Sequence, residues 1–216
     1  MTSNPGPWLV VGLGNPGAKF SGTRHNVGFG AVDSLVRTER ITFSGSSGAA
    51  EVGVCRNGDL VIAKPTTFVN ASGDAVRGLM QRFGIGRDRV IVIHDDVHVE
   101  AGDVDVVVGV PHGGHNGVAS VMDRVGSNRF VRIRVGVGGP AKGRRLEDHV
   151  LERPGRAERK CVEIAVGEAA VVARTVVALG AEKAMEGWSL DATGGAREPG
   201  SSRRVVSRRT PTPHRP

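Results

Sequence analysis

Arg89-Val-Ile-Val-Ile-His-Asp95 decides the fold. Four β-branched residues stand in a row with no polar alternation, the pattern of a strand buried on both faces. Upstream, Trp8–Leu13 has the same character, and Val104–Val110 and Phe130–Val137 follow it downstream. Glu51–Cys55 and Leu60–Ala63 form a pair of strands around the turn Asn57-Gly58. Helical periodicity appears between the strands, near Asn26–Arg37, Ala71–Phe83 and Asn116–Val125. A last, long helix spans about Arg156–Leu179, apolar at Cys161, Ile164, Ala165, Val172 and Val176. Buried strands alternating with helices predict an α/β fold: a mixed, mostly parallel central sheet flanked by helices.

The 216 residues and 39% apolar content suit one folded domain, expected over residues 1–192. From about Thr193 the chain is Gly, Ser, Pro and Arg, so 193–216 reads as a basic, disordered tail. The net charge of +7 is concentrated there. Residues 197–216 hold six arginines and one glutamate, which leaves only +2 for the rest. Such a tail is either a solvated extension or a non-specific electrostatic arm for RNA. Cys55 and Cys161 lie far apart without a CxxC, which excludes a disulfide scaffold and a thiolate zinc site. The stretch Ile164–Gly180 is interrupted by Glu168 and Arg174 and cannot span a bilayer. Without a secretory pattern at the N-terminus, the expected location is the cytoplasm, with no membrane partner.

Three chemistries compete for the polar residues. Gly12-Leu-Gly-Asn-Pro-Gly17 matches a dinucleotide fingerprint, but Pro16 lacks the N–H a pyrophosphate needs, and Ala18–Thr23 has turn composition. His94, His98, His112 and His115, with Asp95 and Asp96, offer zinc ligands, yet no helix-borne HExxH is present. No GxSxG marks a serine nucleophile. What remains is a set of residues at the ends of elements. Asn15 follows the first strand, Asp95 ends the Arg89–His94 strand, and His25 closes the loop begun at Asn15. Parallel strands would bring Asn15 and Asp95 to one sheet edge, where open α/β folds keep ligands. Asn70 and Asn116 precede helices, and each taken singly reads as an N-cap. Taken together, a histidine, a carboxylate and three amides can hydrolyse an ester: the histidine takes a proton, the carboxylate fixes its tautomer, and amide N–H groups hold an oxyanion.

The order of Gly12–Gly17, Thr23-Arg-His-Asn-Val-Gly-Phe29, Lys64-Pro-Thr-Thr-Phe-Val-Asn-Ala-Ser-Gly73, His94-Asp95 and Gly113-Gly-His-Asn-Gly117 resembles bacterial-type peptidyl-tRNA hydrolase. Phe130–Gly138, Asp148–Leu151 and Glu182–Met185 extend the resemblance over about residues 8–188. It implies a phosphorylase/hydrolase-like three-layer sandwich and a monomeric carboxylic ester hydrolase. Such an enzyme cleaves peptidyl-tRNA, or N-blocked aminoacyl-tRNA, at the ester and recycles the tRNA of prematurely released chains. It implies neither cofactor nor metal, and a partner contacted at its acceptor stem and 3′ end. In that family the histidine matching His25 activates water and the aspartate matching Asp95 holds it in its basic form. Asp96 is set aside because adjacent strand residues face opposite ways.

Asn70 and Asn116 match residues that contact the peptide or the tRNA 3′ end, and Asn15 matches the one that separates N-blocked from free aminoacyl-tRNA. Phe20 and Phe68 match tRNA contacts, where an aromatic ring stacks on a base; Phe20 reads equally as core. The chain also departs from the pattern. Val106–Val110 and Ala119 stand where cations are common, Phe20 replaces a frequent tyrosine, and Val69 a frequent methionine. Fewer cations mean weaker, less salt-sensitive RNA binding. Compensation would come from Arg132, Arg134, Arg144 and Arg145, or from the tail. The alternative is a weakly active or non-catalytic RNA-binding paralogue.

Overall fold

The computed structural model describes residues 6–185. The expected domain limit at residue 192 and the basic segment 193–216 lie outside the described residues. Seven strands form one sheet: β1 (Trp8–Gly12), β2 (Ser46–Ser47), β3 (Ala50–Val54), β4 (Leu60–Pro65), β5 (Val90–Asp96), β6 (Val104–Val108) and β7 (Val131–Gly136). They run in the order β2-β3-β4-β1-β5-β7-β6. The four central strands, β4-β1-β5-β7, are parallel, while β2, β3 and β6 add antiparallel edges. The sheet is thus mixed, with its parallel part in the middle.

Helices cover both faces, which is why β1 and β5 carry no polar alternation. Trp8, Val10, Ile91 and Ile93 face α1 (Val27–Thr38) and α5 (Arg156–Leu179). Their neighbours Leu9, Val11, Val90 and Val92 face α2 (Ser72–Phe83) and α3 (Asn116–Val125). The buried stripe of α5 runs through Val162, Ala165, Ala169, Val172 and Val176 at helical spacing. Ile164, expected on the apolar face, is exposed and lies outside that stripe. A short helix, α4 (Leu146–Val150), gives no periodicity for a sequence reading to catch.

Two glycines set the level at which α1 meets the sheet. A Cβ on Gly28 would stand 2.4 Å from the Ile93 carbonyl oxygen and 2.5 Å from that of Leu13. One on Gly12 would stand 2.2 Å from the Gly28 oxygen. No side chain fits there, so the start of α1 lies directly on the carboxyl ends of β1 and β5. The residue two positions before α1 is therefore delivered to the end of β5. That residue is His25.

Candidate active site

His25 sits in a single 3-10 turn, Arg24–Asn26, that leads into α1. Its Nδ1 lies 2.8 Å from Asp95 Oδ1, at the end of β5. Asp95 is 4% exposed and its neighbour Asp96 faces the other way, accepting from Arg134 Nη1 at 3.1 Å and from the His98 N–H at 2.8 Å. A third residue completes the group: His115 Nε2 stands 3.0 Å from the same Asp95 Oδ1. The His115 Nδ1 accepts from the N–H groups of Gly117 and Val118, at 3.1 and 3.2 Å, and so caps α3. An Nδ1 that accepts carries no proton, so the His115 proton is on Nε2 and is donated to Asp95. With one carboxylate oxygen receiving both donors, His25 keeps its proton on Nδ1 and its lone pair on Nε2.

His25, Asp95 and His115 lie close enough to hold a metal ion. The hydrogen bonds argue against that use: neither His115 nitrogen has a free lone pair, and Asp95 Oδ1 is engaged twice. The four histidines considered as zinc ligands are not brought together. His98 and His112 are exposed, and among the described residues neither belongs to a group of potential ligands. His94 is buried behind the site, its ring edge-on to His115 at 4.8 Å, its Nδ1 donating to the Asp95 carbonyl at 2.7 Å.

Charge follows from this geometry. Burial pulls His25 toward neutrality, but the Asp95 charge and hydrogen bond outweigh it and raise its pKa above the ordinary 6.5. Burial alone would raise Asp95; the two imidazoles donating to it prevail and hold it below the usual carboxylate range. His94 is pushed well below 6.5 by burial, then by His115 and Arg132, and stays neutral.

A cleft of about 540 Å³ opens in front of these residues. Asn15, Phe68, Asn70 and Asn116 all line it. Asn70 and Asn116, which taken singly read as caps, cap neither helix. α3 is capped by His115 with Asn116 as its first residue, and α2 begins after Ala71 with no side-chain cap. Among the described residues neither asparagine amide has a hydrogen-bond partner, so both remain available in the cleft. Asn15 is held rigidly. Its N–H and C=O bind the Asn26 amide at 2.9 Å each, and its Oδ1 accepts from the Val69 N–H at 2.9 Å, which leaves Nδ2 as its free donor. Phe68 is 60% exposed at the rim. Phe20 is not a cleft residue; it backs Phe68 edge-on at 6.4 Å, beneath the exposed Lys19 ammonium, 4.7 Å from its ring. Leu146, Val150 and Leu151 of the α4 region supply an apolar wall.

Arg24 ties that wall to the histidine turn. It forms a two-point pair with Glu158, at 2.7 and 2.6 Å, and donates Nη1 to the carbonyls of His149 and Glu152. The sequence offers His115 only as a zinc ligand, and it assigns no role to Arg24, Asn26 or α4. Arg24 and Asn26 are the immediate neighbours of His25, and His115 precedes a helix, a position that favours a side-chain acceptor. Two of the expected RNA-contacting arginines are committed to partners within the protein. Arg132 is 1% exposed and donates to the carbonyls of Val110 and Pro111, while Arg134 is neutralised by Asp96 and Asp105. Arg144 and Arg145 are exposed but paired with Glu152 and Glu147.

A family model described as peptidyl-tRNA hydrolase matches residues 9–194. A relative named peptidyl-tRNA hydrolase from Anaeromyxobacter dehalogenans (strain 2CP-C) is 42% identical over 179 residues, covering 82% of this chain and 93% of its own. Another of that name, from Bifidobacterium adolescentis, is 37% identical over 189 residues, covering 83% and 95%. The crystal structure of peptidyl-tRNA hydrolase from Acinetobacter baumannii superposes with a TM-score of 0.78 at 30% identity, covering 83% of this chain and 93% of that one.

Proposed function

The chain belongs to the peptidyl-tRNA hydrolase family, and on that premise we propose that His25 is the base that activates water for its reaction. The enzyme hydrolyses the ester that joins a peptide to its tRNA. The observation that carries the mechanism is the 2.8 Å contact from His25 Nδ1 to Asp95 Oδ1, which leaves the Nε2 lone pair for a water. Nε2 takes a proton as the water oxygen bonds to the ester carbonyl carbon, and the carbonyl π pair moves onto oxygen. Amide donors of Asn70 and Asn116 receive that oxyanion, each such donor being worth about 2.7–4 kcal/mol in known acyl-transfer sites. When the carbonyl reforms, the ribose oxygen leaves and takes the proton back from His25. General-base help of about 10²–10⁴-fold suffices for an activated ester. Asn15 Nδ2 binds the carbonyl of the N-acyl group, which a free aminoacyl ester lacks. The terminal base stacks on Phe68, with Lys19 as an exposed cation on the same rim.

The test is release of labelled N-acetyl-amino acid from N-acetyl-aminoacyl-tRNA by wild type and His25→Ala, with and without EDTA. Activity that survives EDTA and disappears in His25→Ala is the expected result. Near-normal turnover by His25→Ala would remove the base from His25, and EDTA-sensitive turnover would bring metal back. Among the described residues no helix is long and apolar enough to cross a membrane.

A further inference from the structure

Among the described residues, Arg132 is the largest side chain that the fold buries completely, and it has no part in the chemistry of the cleft. It stands on β7 in register with Val92 of β5 and Val107 of β6, so it points to the sheet face that α2 and α3 cover. Two residues on, Arg134 takes both carboxylates of this edge, Asp96 and Asp105. Arg132 is left without an ion pair among the described residues, and its buried Nε has no hydrogen-bond partner there either. Burial, followed by the neighbouring Arg134, pushes its pKa down to about 10, so it remains a cation at neutral pH. A buried charge without a counter-ion is unfavourable, and an apolar side chain of similar volume is neutral or better for stability. Stability does not explain an arginine here.

What Arg132 does hold is a loop. Its Nη2 donates to the carbonyls of Val110 and Pro111, at 3.0 and 2.9 Å. The loop continues through Gly113 and Gly114, at φ 64° and 86°, where glycine leaves the backbone free to turn elsewhere. Past Gly109, which Asn128 binds, the Arg132 bonds are the only ones among the described residues that tie Val110–Gly114 to the rest of the fold. The loop ends at His115, whose Nε2 donates to Asp95. The same ring is backed edge-on by His94, on the face that Arg132 and Arg134 share. We propose that Arg132 is a positioning residue for the hydrolysis: it seats the loop that delivers His115, and so keeps the second donor on Asp95, rather than stabilising the fold. This rests on the reading of His25 and Asp95 above.

Arg132→Met removes the charge and both hydrogen bonds with little change in volume. Its thermal midpoint is expected at or above that of wild type. On N-acetyl-aminoacyl-tRNA its kcat should fall at least about tenfold, with KM within about twofold because Asn15 and Phe68 are untouched. Both bonds come from one nitrogen, so Arg132→Lys should recover part of the lost kcat. Losses that act through one residue do not multiply. In His115→Asn, which already lacks the donor to Asp95, Arg132→Met should therefore lower kcat by less than a further factor of about two. Four results each overturn the proposal: Arg132→Met with kcat within about twofold of wild type, Arg132→Met that no longer folds, Arg132→Lys no better than Arg132→Met, or losses that multiply in the double variant. Failure of the underlying assignment reads out separately, as turnover by His25→Ala.

Discussion

Asp95→Asn isolates what the carboxylate charge does, because the geometry keeps everything else in place. The His115 proton is fixed on Nε2 by the cap that Nδ1 makes to α3. The substituted amide therefore keeps its oxygen toward the two imidazole donors, since turning its NH₂ inward would set N–H against N–H. The His25 tautomer survives and only the charge is lost. At an effective dielectric of about 20, unit charges 4 Å apart interact by about 4 kcal/mol. Both charges are spread over their groups, and proton transfer is incomplete at the transition state, so about 3 kcal/mol is expected, or about 10²-fold in kcat.

The pH profile moves in a defined direction. Asp95 from β5 and His115 from the start of α3 are the titratable groups facing His25. Burial lowers the His25 pKa, and Asp95 more than reverses this. Since the neutral imidazole is the active form, the acid limb of kcat/KM in wild type lies above pH 6.5. In Asp95→Asn only burial remains, so the limb moves below that value. The assay is turnover of N-acetyl-aminoacyl-tRNA from about pH 5 to about pH 9. A kcat within about threefold of wild type, or an acid limb that stays put, would refute the electrostatic account.

His115 does two jobs that variants separate: His115→Ala loses the α3 cap and a donor to buried Asp95, about 2–4 kcal/mol of stability together. His115→Asn keeps the cap and should lose about half of that in urea titrations; equal losses would mean the cap contributes nothing. Arg24→Lys keeps the charge but not the fork onto Glu158 and the two carbonyls, so about 1.5–3 kcal/mol of stability is expected to go. A thermal midpoint unchanged by that variant would show the buried pair to be neutral. Gly28→Ala drives a Cβ into backbone oxygen and should cost about 3 kcal/mol, the upper part of the overpacking range, and lower kcat by moving His25. A Gly28→Ala protein with native stability and activity would contradict the placement of α1 on the strand ends.

The sheet is legible in the sequence because burial on both faces leaves a direct trace. Val90-Ile-Val-Ile93 can be hydrophobic without interruption only where helices cover both sides, and each alternate residue lies under a different helix pair. The same rule separates Asp95 from Asp96: one meets His25, the other Arg134. α4 leaves no such trace, since five residues make too little helix for a period to show.

The side-chain errors share one cause. Residue type and local position make an asparagine before a helix read as its cap, and an arginine on a strand read as a phosphate contact. Both roles are filled from elsewhere in the fold. His115 takes the cap of α3, and so frees Asn116 for the cleft. Asp105, on the antiparallel edge strand β6, takes Arg134. Asp105 adjoins the very stretch where the sequence lacks expected cations, so the missing positive charge and the neutralised arginine belong to one edge of the sheet. Positive charge for RNA must then come from outside this edge, and among the described residues the exposed Lys19, beside the Phe20–Phe68 pair, is such a group at the catalytic rim. If Lys19 carries that contact, Lys19→Ala weakens binding of uncharged tRNA and reduces the slope of log K against log salt by about 0.7–0.9, the share of one phosphate. A slope equal to that of wild type would place the contact elsewhere.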